Sequence, residues 1–306
     1  MEILSVLLPL YLMILIGTGY RFSGGRIGSK ALTNLIMNLL MPCLIFTALL
    51  ESEFTAGRLG KLALANVILI FALLFLCQVL RKVWNLPSSF ELPVLFMNAG
   101  FLGIPLMKFY GGDPAVASIV IFDQVQSLFI FTLGLALVTA HLALGQQLLS
   151  FLHEPIVWAI LLGFAVGEIN ISLPAVLLTV TNSVMQVISM TGDATIPLAL
   201  FLLGYDLHRF KPRLDSHVGA VIFIRLGVAS LLGVGICLLL SLEGPDGAAV
   251  LLGAGLPSAV FSYVLAQRYD KAPKFAAGAV FYTSVFSIVS LPIMLYWTNL
   301  WYPTPF

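Results

Sequence analysis

The chain has 306 residues, 60% of them hydrophobic and only 9% charged, with a mean hydropathy of +1.04 and a formal net charge of +1. Soluble domains carry roughly 25% charged residues, so this composition excludes a soluble domain and a basic nucleic-acid-binding surface, and reads as an all-α integral membrane protein. Cys43, Cys77 and Cys237 lie in apolar runs without CxxC spacing and read as small buried hydrophobes, not as a disulfide frame or a zinc site.

Crossing the hydrocarbon takes about 20 apolar residues. In the first half, spans are expected at Ile3 to Tyr20, Ala31 to Leu50, Leu62 to Leu80, Leu92 to Tyr110 and Ala115 to Ala140. The second half gives Pro155 to Val166, Val176 to Tyr205, Val218 to Leu240, Ala248 to Gln267 and Phe275 to Trp297. The first apolar run follows Met1 and Glu2 with no basic stretch before it, so it reads as a span and not as a cleavable signal.

Ten spans bring both termini to one side, and the basic residues decide which side that is. Arg21, Arg26 and Lys30, Arg81 and Lys82, Arg209, Lys211 and Arg213, and Arg268, Lys271 and Lys274 all fall in alternate loops. The other side has only Arg58, Lys61 and Lys108. The excess of Lys and Arg marks the cytoplasmic face, so both termini are expected outside a cell membrane. No GxxxxGK[ST] loop is present to cradle a nucleotide. The histidines His141, His153, His208 and His217 lack ligand spacing, and neither a metal nor a cofactor is expected.

The two halves echo each other. "MPCLIFTALLE" closes the second span and "IPLALFLLGYDL" the seventh, while Pro105 in the fourth span and Pro257 in the ninth follow at similar spacing. Two repeats of five spans in one chain have opposite orientations across the membrane. Residues 1–140 form the first inverted repeat, 141–154 a short cytosolic link and 155–306 the second repeat. Inverted repeats with a helix interrupted at matching places are the pattern of secondary transporters. Gly100, Gly103 and Pro105 are expected to break the fourth span, and Gly253, Gly255 and Pro257 the ninth, leaving free amides as binding groups. Close helix packing by small residues is the plainer reading of each segment alone.

"NLLMPCLIF", "MNAGFLGIPLMKFYGG", "GDATIPLALFLLGYDL" and "GLPSAVFSYVLAQRYD" resemble the auxin efflux carrier family across both halves of the chain. The resemblance implies a ten-helix inverted-repeat transporter, similar in fold to the bile acid sodium symporters, with broken helices four and nine crossing. It implies a scaffold of spans 1, 2, 6 and 7, a moving unit of spans 3–5 and 8–10 working by elevator-type alternating access, and a homodimer through the scaffold. Solute then binds near Asn98 to Pro105 and Gly255 to Ser258. Plant exporters carry Asn-Pro-Asn where this chain has Asn98-Ala99-Gly100, and many have a large insertion where this chain has a short link. It is similar to compact prokaryotic members, whose expected solutes are small carboxylates such as malate or malonate.

Polar residues inside the spans are the functional candidates, because each costs several kcal/mol unless paired or facing a cavity. Asp123 in the fifth span, flanked by Gln124 and Gln126, is expected to carry a proton, with an interhelical polar contact as the plainer role. Asp193 either caps the helix resuming before Pro197 or carries a proton. Arg225 has three readings: snorkelling to the interface, pairing with Asp123, or receiving a solute carboxylate. Asn98 and Ser258 are the expected solute contacts, with Gly100, Gly103, Pro105 and Pro257 around them. Asn34 and Asn38 in the second span and Ser262 and Tyr263 in the ninth are secondary candidates, with interhelical bonding as the default.

These readings converge on a secondary transporter of a small organic anion, coupled to protons, with sodium symport or uniport as alternatives. An intramembrane enzyme or a sensor of the same fold are the readings from other classes. No HExxH or GxSxG motif supports the former, and no signalling domain the latter.

Overall fold

The computed structural model describes residues 2–50, 56–87, 89–139, 155–167, 175–207 and 214–303. Every regular element among them is helical, and one isolated antiparallel bridge is the only β pairing. Hydrocarbon offers no partners to a bare peptide group, and a helix satisfies its own. The link at 141–154, with His141 and His153, and the segment containing His208, Arg209, Lys211 and Arg213 lie outside the described residues.

The helices are α1 (Glu2–Phe22), α2 (Ser29–Leu50), α3 (Ala56–Val83), α4 (Glu91–Leu95), α5 (Ile104–Phe129) and α6 (Pro155–Gly167). They continue as α7 (Ala175–Asp193), α8 (Thr195–Leu207), α9 (Ser216–Leu240), α10 (Gly244–Ala254), α11 (Val260–Arg268) and α12 (Pro273–Trp301). Among the described residues there are four turns of π-helix: Ile36–Leu40 within α2, Ala99–Gly103 before α5, Ile130–Gly134 after it and Phe223–Val228 within α9.

Among the described residues, six segments are long and apolar enough to cross a membrane: Ser29–Leu50, Gly57–Val83, Ala99–Val138, Thr179–Asp206, Ser216–Leu240 and Pro273–Trp301. Leu8–Phe22 and Pro155–Val166 are shorter apolar helices. The ten spans expected are thus not reproduced: the first and sixth are these shorter helices, the ninth divides into α10 and α11, and the second half of the fourth runs on into the fifth. The segment Ala99–Val138 has 40 residues, so a straight helix would measure about 60 Å, twice the hydrocarbon thickness. It is interrupted at Gly111 (φ −148, ψ 19) and Gly112 (φ 62, ψ −153), where the positive φ suits glycine.

The helices pack in two neighbourhoods joined by a contact of α2 with α5. α1 lies on α8, and α2 on α6 and α7, whereas α5 lies on α3 and α10, and α9 on α3 and α10. The α1–α8 contact is backbone to backbone. A Cβ added at Gly17 would run into the Phe201 carbonyl oxygen, and one at Gly204 into that of Ile14. Thr18 Oγ1 seals the seam by donating to Ile14 O at 2.9 Å and Gly204 O at 3.0 Å. In the other neighbourhood, α3 is fastened at both ends. Arg58 makes a two-pronged ion pair with Asp246 at the start of α10, both bonds 2.8 Å, and Arg81 donates to Glu91 at the start of α4. One long helix thus carries the leading halves of both interrupted spans.

Candidate functional site

The two interruptions meet each other. α4 ends at Leu95, Phe96 turns extended (φ −103, ψ 124), and the chain re-enters helix through the π turn Ala99–Gly103. α10 ends at Ala254, and Ala259 is extended (φ −63, ψ 136) before α11. Met97 and Ser258 form the isolated antiparallel bridge. Asn98 N–H donates to Pro257 O and Ala259 N–H to Phe96 O, both at 2.8 Å.

The first break therefore lies N-terminal to its expected position. Gly100 and Gly103 belong to the π turn after it, and Pro105 lies just beyond that turn, inside the helix that resumes at Ala99, where it has no N–H to give to Phe101 O. Gly103 is needed for close approach, since a Cβ there would stand 2.7 Å from Leu256 Cδ1 of the opposing break. Gly100 differs. Its nearest neighbour is the Met41 Cε of α2 at 4.0 Å, so it faces room between the crossing and α2. Pro257 is buried and serves through its carbonyl.

The expectation that the breaks leave free peptide groups needs correction, because side chains take most of them. At the end of α4, Ser262 Oγ donates to Leu92 O at 3.0 Å, Ser258 Oγ to Pro93 O at 2.6 Å, and Arg225 Nη1 to Val94 O at 2.9 Å and Leu95 O at 3.5 Å. Arg225 Nη2 reaches across to Ala254 O, the last carbonyl of α10. Gln126 grips Met97 with both ends of its amide: Oε1 accepts from Met97 N–H and Nε2 donates to Met97 O, each at 2.9 Å. Thr283 of α12 accepts from Ser258 N–H at 3.1 Å. Unpaired peptide groups this deep would each cost on the order of 1–3 kcal/mol, which is why the carbonyl ends of both half-helices are sealed.

Open bonding capacity remains in side chains. Among the described residues, Asn98 Nδ2 has no partner although the residue is only 3% exposed, and both amide atoms of Asn66 on α3 are unpaired at 0%. Asp123 is half-buried and accepts from Gln126 Nε2 at 3.1 Å, so a chain of contacts links its carboxylate to Met97 in the crossing.

Several expectations are revised by position. Arg225 neither snorkels nor pairs with Asp123; it is completely buried on the carbonyls named above. Asp193 is exposed at the end of α7 and makes no hydrogen bond among the described residues, so it caps nothing. Asn34 and Asn38 are exposed on α2, away from its buried face at Met41 and Leu44. Gln124 is half-buried beside Asp123, and Tyr263 packs on Ala277 and Val280. Thr283 and Asn66 were not singled out by sequence. Asn66 was visible as a lone amide in an apolar run, whereas Thr283 resembles any intramembrane threonine.

The profile of the family described as "Membrane transport protein" matches residues 3–295. The chain is also 26% identical over 304 residues to a protein named "Uncharacterized transporter" from Methanothermobacter thermautotrophicus (strain ATCC 29096 / DSM 1053 / JCM 10044 / NBRC 100330 / Delta H), a match covering 94% of this chain and 96% of that one. Matched over nearly its whole length by that profile, the chain belongs to the membrane transport protein family, the auxin efflux carrier family.

Proposed function

We propose that this protein is a secondary transporter that carries a small organic anion at the crossing of its two interrupted helices. The observation that carries the reading is the reciprocal pairing of Asn98 N–H with Pro257 O and Ala259 N–H with Phe96 O. It brings the helices resuming at Ala99 and Val260 to one place. Their first amides lack intrahelical acceptors and offer partial positive charge to an anion. Asn98 Nδ2, buried and unpaired, supplies a directed donor beside them, and Gly100 leaves space toward α2. Ser258 is spent on Pro93 O and helps hold the site instead of touching solute.

Asp123 is the coupling carboxylate in this reading, because Gln126 connects it to Met97. A protonated Asp123 favours an anion nearby, and an ionised one opposes it. The two packing neighbourhoods support a scaffold and a moving unit; the same reading has inverted halves 1–140 and 155–306, both termini outside and a homodimer through the scaffold.

Purified protein in proteoliposomes tests this with labelled malate, malonate and indole-3-acetate under an imposed pH gradient. Saturable uptake that collapses in Asn98→Ala, and that loses its dependence on the gradient in Asp123→Asn, is the expected result. Uptake of none of the three sinks the organic-anion reading, and gradient-driven uptake in Asp123→Asn sinks the coupling role.

A further inference from the structure

The guanidinium of Arg225 is the least explained charge in the molecule. The residue is completely buried, in the π turn Phe223–Val228 of α9, and it has no carboxylate partner among the described residues. The described ion pairs of the neighbouring helices, Arg58–Asp246 and Arg81–Glu91, lie at the two ends of α3. What surrounds Arg225 is carbonyl oxygen: Val94 O and Leu95 O at the end of α4, and Ala254 O at the end of α10. The last carbonyls of a helix have no intrahelical donor and carry its partial negative charge. A cation held by two such ends needs no acidic side chain. Both terminal nitrogens are engaged with these carbonyls, and Nε has no partner among the described residues.

We propose that Arg225 is a positioning residue: it ties the carbonyl ends of the two half-helices together and fixes the spacing at which the breaks pair, without touching the transported solute. The geometry requires a forked donor. Nη1 serves α4 while Nη2 serves α10, and only a planar group with two outward nitrogens spans both. The π turn supports this role, because a local π-helical turn re-aims side chains from their ordinary helical direction. Arg225 acts through the amides of Asn98 and Ala259, whose cross-bonds depend on that spacing. This inference rests on the crossing being the solute site, yet its test needs no solute.

Hydrogen exchange of the full-length protein in lipid nanodiscs, read at single-amide resolution, is the experiment. In Arg225→Gln, protection at Asn98 and Ala259 is expected to fall about tenfold, the equivalent of one lost hydrogen bond, while amides of α1 and α8 stay as in wild type. Arg225→Lys, which keeps the charge but has one donor centre, falls between the two. Unchanged protection at both amides overturns the proposal, and lost malate or malonate uptake alongside it would assign Arg225 to the solute instead. If Arg225→Gln loses protection throughout α1 and α8 as well, Arg225→Lys decides: selective loss at the crossing upholds the role and wild-type protection there ends it. Absence of uptake by wild type would sink the transport reading but leave the exchange result standing.

Discussion

The hydroxyl of Tyr11 on α1 donates to the carbonyl of Ile288 on α12 at 3.3 Å, and that carbonyl stands four residues before Pro292. Proline has no N–H, so it takes from Ile288 the donor that an ordinary helix supplies. A phenol from a helix 277 residues away fills the gap. Tyr11→Phe is expected to cost about 1 kcal/mol. Pro292→Ala restores the intrahelical donor and should remove most of that penalty. Thermal unfolding of the four proteins of this cycle in detergent checks it; strict additivity would mean the phenol and the proline are unrelated.

Gln126 carries a larger load. Its amide is the partner of both peptide groups of Met97, and nothing else near the break is described as serving them. Gln126→Leu, similar in size, leaves a buried N–H and C=O without partners and is expected to destabilise by about 2–4 kcal/mol. Gln126→Glu keeps an acceptor for the N–H but loses the donor and adds a charge beside Asp123, so it should be worse. Chemical or thermal unfolding ranks the two, and a Leu variant as stable as wild type would show that the grip is dispensable.

Gly100 and Gly103 stand three residues apart and should answer differently to the same change. Alanine at 100 meets only Met41 Cε at 4.0 Å, and the gain in helix propensity is up to about 1 kcal/mol. Gly100→Ala should therefore fold at least as well as wild type while altering solute affinity. Alanine at 103 pushes against Leu256 Cδ1 and is expected to lose about 1–2 kcal/mol. Melting temperatures combined with uptake assays separate the pair; equal stability losses at both positions would deny the space beside Gly100.

The Arg58 tie of α3 gives a further measurable quantity. Asp246 accepts from Arg58 twice and from Ser118 Oγ at 2.7 Å, with its side chain 10% exposed and that of Arg58 33%. Partial exposure screens the pair, so Asp246→Asn is expected to cost about 1–2 kcal/mol, below the range for a fully buried pair. Raising ionic strength should weaken wild type more than the variant, since only wild type has the pair to screen. Parallel salt dependence in unfolding experiments would contradict this.

Much of the fold is legible in the sequence because glycine, proline and buried amides are costly in a membrane helix and stand out. Pro105, Pro257 and the glycines near them announced interruptions close to where α4 gives way to α5 and α10 to α11. The exact break was not legible. Pro105 lies beyond the π turn, within the helix that resumes at Ala99, and the extended residue is Phe96 instead. The partner of each freed peptide group depends on how α9 and α12 lie against the crossing. Nothing local in "FIRLGV" says that Arg225 meets Ala254 O rather than water at the interface.

The interlocked glycines of α1 and α8 set a timetable for biogenesis. Gly204 follows Thr18, which it holds, by 186 residues. At ribosomal speed, roughly 5–20 residues per second, that interval is about 10 to 40 seconds. For that time α1 waits in the bilayer with its glycine groove unfilled, in company only with earlier helices. Its seam closes when the eighth helix emerges, so assembly of the earliest helix is among the later events in the life of the nascent chain.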